Sequence, residues 1–115
     1  MDVDSVRQFC KTLPHATETV QWGNDLVFKI GGKMFAVVAL EPSKVWLSFK
    51  ATTEQFGELT ERQGIIPAPY MARAHWVALE HEDVLKAAEL KRFLRQAYDL
   101  VFAGLTKKMQ ATLRG

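Results

Sequence analysis

Gly31-Gly32, set between Leu26-Val-Phe-Lys-Ile30 and Lys33-Met-Phe-Ala-Val-Val-Ala-Leu40, constrains this chain more than any other feature. Two adjacent glycines supply the positive φ values that a tight primed turn requires, and apolar β-branched and aromatic runs on both sides read as strands. A β-hairpin follows. Glu41-Pro-Ser43 makes the next turn, and Lys44-Val-Trp-Leu-Ser-Phe-Lys50 reads as a third strand. Its alternation puts Val45, Leu47 and Phe49 on one face and Lys44, Trp46, Ser48 and Lys50 on the other. The pattern is that of an antiparallel meander with one covered face and one wetter face.

Helical patterns flank this meander. Val3, Val6, Cys10 and Leu13 recur at helical spacing and predict a first helix ending near Pro14. Thr52 and Gln55 fit a capping box, opening a short helix with Phe56 and Leu59 inward and Gly64 at its close. His75 to Leu79 reads as a further strand. Glu82 to Leu105 reads as the longest helix, with Ala87, Leu90, Leu94, Ala97, Val101 and Leu105 as its apolar stripe. Glu82 and Asp83 at its start and Lys107 and Lys108 past its end suit the helix dipole.

The chain has 115 residues, enough for one domain with a real core and no covalent staple. We expect a single domain over residues 1–108 and a short basic tail over 109–115. Cys10 is the single cysteine and lies on an apolar stripe, where a buried inert thiol is expected. The start is acidic and lacks an apolar leader-like run, and no stretch approaches the length of a membrane span. A cytoplasmic location without membrane contact is expected.

The net charge is +2, but Lys107, Lys108 and Arg114 contribute three of the 15 basic residues. Without them 12 basic residues face 13 acidic ones, a body of −1. Duplex-DNA binders neutralise many phosphates and usually carry a strongly basic domain. A nucleic-acid site here must therefore rest on local clustering.

Pro67-Ala-Pro-Tyr-Met-Ala-Arg-Ala-His-Trp-Val77 concentrates aromatic and polar groups on an irregular segment, as binding loops do. Tyr70, Arg73 and His75 are its candidate contacts; Tyr70 and Met71 can equally plug the sheet, and His75 can be a hydrogen-bonded structural group. On the third strand, Trp46 between Lys44, Ser48 and Lys50 can stack a base beside a phosphate, anchor a protein partner, or pack on a neighbouring strand under the lysine stems. His15, His75 and His81 are dispersed, so no metal site is expected. No nucleophile, base and orienting group fall into a recognisable set, so no enzyme and no cofactor are expected.

Trp22-Gly23, Phe28-Lys-Ile-Gly-Gly-Lys-Met-Phe35, Val45-Trp-Leu-Ser-Phe-Lys50, Tyr70-Met71, His75-Trp76 and Tyr98-Asp-Leu-Val101 together resemble the MmcQ/YjbR family of small bacterial proteins. The resemblance runs from about Leu13 to Lys108. It implies an α+β, CyaY-like fold: an antiparallel meander with an N-terminal helix, a short middle helix and a long C-terminal helix on one face. It also implies that family's predicted role, DNA binding through a double-wing arrangement. Frataxin-like iron binding is not implied, because the first helix follows Asp2 and Asp4 with Arg7 and Lys11. The expectation is a non-catalytic binding protein, a monomer or weak dimer. Its partner is DNA or single-stranded nucleic acid, bound weakly, through Lys44, Trp46, Lys50, Tyr70, Arg73 and His75. The alternative is a protein partner or small ligand on the open sheet face around Trp46.

Overall fold

Asp2 starts the first helix with a reciprocal cap: its Oδ1 accepts from the Ser5 N–H and its own N–H donates to Ser5 Oγ, both at 2.9 Å. The computed structural model describes residues 1–114. Helix α1 spans Val3–Lys11 and buries Val6 and Cys10. Strand β1, Thr17–Gln21, follows and was not anticipated. It is an edge strand with side chains exposed or half-exposed throughout, so it carries no apolar alternation to read.

The Gly-Gly hairpin forms as expected between β2 (Asp25–Ile30) and β3 (Lys33–Ala39), with φ of 59° at Gly31 and 80° at Gly32. Strand β4 is shorter than its apolar run, Leu47–Lys50. Leu47 and Phe49 are buried on the helix-covered face, whereas Ser48 pairs with Val37 on the other. Upstream the expected alternation fails. Residues 44–46 lie outside the strand; Val45 packs with Ala68, Trp76 and Ala78, and half-buried Trp46 packs against the main core. The strand-like row of Lys44, Trp46, Ser48 and Lys50 is thus corrected to Ser48 and Lys50.

Helix α2, Thr53–Leu59, carries the anticipated Thr52–Gln55 capping box. Strand β5 (Ile65–Pro67), a 3-10 turn (Ala72–Ala74) and β6 (Trp76–Leu79) complete a six-stranded antiparallel sheet of order β1-β2-β3-β4-β6-β5. Pro67, with no N–H to donate, sits on the outermost strand, where it breaks no inner ladder.

Helix α3, Ala87–Ala103, packs across β2, β3 and β4 and buries Leu90, Leu94, Ala97, Tyr98 and Val101. It starts five residues later than expected, since Glu82 and Asp83 form a turn before it. Lys107 and Lys108 do not trail that helix. They open α4, Lys107–Arg114, where a basic tail over 109–115 was expected; Gly115 of that stretch lies outside the described residues. Gln110 Nε2 donates to the carbonyls of Phe102, Ala103 and Leu105, capping the end of α3. The Arg114 guanidinium lies 5.3 Å from the Phe102 ring centroid. No helix among the described residues is long and apolar enough to cross a membrane.

The main core lies between the helices and one sheet face, built on Phe28, Phe35, Phe49, Leu90 and Leu94. Phe35 meets Tyr98 edge-on at 5.6 Å. The opposite face is covered at one end only, where Met71 of the loop packs on Ala68, Trp76 and Ala78. The rest of that face is where a ligand can sit.

Candidate functional site

Strand register defines the uncovered face. Gln21 pairs with Asp25, Asp25 with Ala39, and the Ala39 N–H donates to the Trp46 carbonyl at 2.9 Å, making one row across the sheet. Val37 and Ser48 form the next row. Small side chains at Ala39, Ser48 and Ala68 leave a hollow of about 530 Å³ over these rows.

Two turns raise its lips. Trp22, in the β1–β2 turn, has φ 51° and is 65% exposed; Tyr70, in the β5–β6 loop, has φ 66° and is fully exposed. Both line the groove, with Met71 and Pro69 beside Tyr70 and Val45 and Trp46 along the wall. Asp25 is the one charged side chain among the described residues that line it, and none of these is Lys, Arg or His. The indole Nε1 of Trp46 is enclosed by protein without a hydrogen-bond partner, and so is the side-chain Oε1 of Gln21. Buried polar atoms are seldom left unpaired, because each costs about 1–3 kcal/mol.

The residues singled out from the sequence are distributed as follows. Trp46 and Tyr70 line the groove, although Trp46 is half-buried in its own core and not displayed. Lys44 is exposed in the β3–β4 connection. Lys50 is held in the fold: its Nζ donates to the Ala74 carbonyl at 3.1 Å, tying β4 to the 3-10 turn. Arg73 is exposed on that turn. His75 closes the turn at φ 61°, with its N–H donating to the Ala72 carbonyl and its own carbonyl accepting from Ala51. Its ring lies 3.5 Å (Nδ1) from Thr53 Oγ1 and 5.5 Å from the Phe56 ring. Its contacts are those of a structural group.

Lys50 also lines a second hollow of about 420 Å³ with Lys33, Met71, Trp76 and the end of α3. Cys10 is buried, and burial pushes its thiol up to about 12, far from the thiolate a nucleophile needs. No group of three His, Cys, Asp or Glu side chains suited to a metal ion occurs among the described residues.

Sequence reasoning missed Trp22 and Asp25 as site residues. A signal existed: a tryptophan directly before Gly23-Asn24 stands in a turn, where a bulky aromatic has no packing reason to be.

Comparison with known proteins agrees with the architecture. A family model described as YjbR matches residues 11–100. The uncharacterized protein YbdF of Escherichia coli O157:H7 is 28% identical over 91 residues, covering 76% of this chain and 73% of that protein. A crystal structure of a protein from Pseudomonas syringae superposes with a TM-score of 0.71 at 20% identity, over 87% of this chain and 98% of that one. At that identity the likeness speaks to fold alone.

Proposed function

The chain belongs to the YjbR family, and from that premise we propose that it is a non-catalytic binding protein whose site is the groove between Trp22 and Tyr70, occupied by a small organic ligand. One observation carries the reading: an apolar hollow of about 530 Å³ has two exposed aromatic side chains at its lips and Asp25 as the one charged side chain among the described residues that line it. Its volume is in the range of small-molecule sites, which pair mostly apolar linings with a few polar groups. The contacts of Cys10 and His75 favour binding over catalysis. A cytoplasmic setting is part of the same proposal.

Titration with 2-phenylethanol, a neutral aromatic probe, tests this. Binding should weaken at least severalfold in the Trp22→Ala, Tyr70→Ala double variant while the denaturation midpoint stays within error, since both side chains are exposed. Equal binding by the double variant would remove the groove as the site.

Nucleic-acid binding is the second reading, favoured by Lys33 and Lys50 in the second hollow beside Trp76 and by exposed Lys44 and Arg73. Such binding would be weak, with a log–log salt slope of about −3 to −4 for roughly four phosphate contacts on duplex DNA. A low-salt titration without association to duplex or single strands would end it.

A further inference from the structure

We propose that the groove selects an organic cation: a protonated amine on an apolar body. The inference rests on the groove being a ligand site and adds the chemistry of the occupant.

Charge decides the sign. Asp25 is the one charged group among the lining residues described, and no basic side chain there offsets it. A phosphate or carboxylate entering the groove meets a carboxylate of like charge and loses its own hydration, with nothing to repay either. A cation meets the reverse situation. The lips and wall carry Trp22, Tyr70 and Trp46, whose ring faces attract cations as well as apolar groups.

Gln21 faces Asp25 directly across the β1–β2 register, which puts a neutral side chain and no cation beside the carboxylate on that sheet face.

Three probes of similar size test the inference: 2-phenylethylammonium, 2-phenylethanol and phenylacetate, each titrated against the full chain with backbone amide shifts as readout. The cation should bind about tenfold tighter than the alcohol, the magnitude a combined ion-pair and cation–π contribution supplies, and phenylacetate should bind weakest. Asp25→Asn should bring the cation down to the affinity that the alcohol shows for the same variant, and unchanged amide shifts outside the groove report that the fold is intact. Equal binding of alcohol and cation, or tighter binding of phenylacetate, overturns the inference in the wild-type chain alone, whether or not the variant folds. A cation preference that survives Asp25→Asn overturns it too. If the alcohol shifts groove amides without any preference for charge, the groove reading stands and the cation falls. If no probe shifts groove amides, both fall.

Discussion

Trp22 and Tyr70 share an unfavourable backbone conformation, with φ of 51° and 66°, and they stand on the two lips of one groove. Left-handed geometry costs a residue with a Cβ roughly 1–2 kcal/mol. Neither ring repays that by burial, since Trp22 is 65% exposed and Tyr70 wholly so. Strain of this kind gathers at ligand sites. Trp22→Gly should therefore leave the denaturation midpoint unchanged or higher while weakening 2-phenylethanol binding. A lower midpoint would mean that Trp22 supports the fold.

The two hairpin glycines should differ. A Cβ on Gly31 would lie 2.6 Å from Leu105 Cδ1 and 3.3 Å from Met109, whereas one on Gly32 would meet nothing within 4 Å. Gly32→Ala should cost about 1–2 kcal/mol for positive φ alone. Gly31→Ala should cost more, because it also displaces the segment joining α3 to α4. Equal losses in chemical denaturation would show that this segment yields freely.

Tyr98 ties α3 to the turn after α1: its hydroxyl donates to the Pro14 carbonyl at 2.6 Å, and the residue is 6% exposed. Tyr98→Phe should lose about 0.5–1.5 kcal/mol. Leu94→Ala, at a fully buried position under the sheet, should lose about 2–5 kcal/mol through transfer and cavity terms. A reversed order in denaturant titrations would contradict the packing described.

Arg7 joins α1 to edge strand β1 through two-pronged contact with Glu18, its Nη2 2.7 Å from Oε1. These hydrogen bonds hold the Glu18 carboxyl below its ordinary 4.5, although partial burial pushes the other way. A lowered folded value means the contribution is fully present above pH 4.5 and fades as pH falls through the folded pKa. In Arg7→Ala, NMR titration should find the Glu18 pKa moved up and this part of the acid sensitivity gone. An unchanged Glu18 titration would assign the shift to something else.

The features legible in the sequence were those set by neighbours along the chain. Gly31-Gly32, the Thr52–Gln55 cap and the Leu90–Leu94–Ala97–Val101 stripe all form as read, because turn, cap and helix geometry act over a few residues. Strand β1 escaped because an edge strand needs no apolar face. Trp46 was misplaced because strand alternation was extended into residues that bend. The groove was illegible for a different reason: it joins residues 22–25, 37–48 and 68–71, which only the strand order brings together. The signal left in the chain was two aromatic side chains in turns, of which the Tyr70 loop was noticed and Trp22 was not assigned a role.

The most direct test of the groove follows the indole N–H resonances of the three tryptophans while 2-phenylethanol is added. Trp22 and Trp46 line the groove, whereas Trp76 is 3% exposed and belongs to the second hollow. We expect the Trp22 and Trp46 signals to move together with one saturation curve and the Trp76 signal to stay. Fixed Trp22 and Trp46 signals at saturating probe, or movement of Trp76 alone, would contradict the assignment of the site.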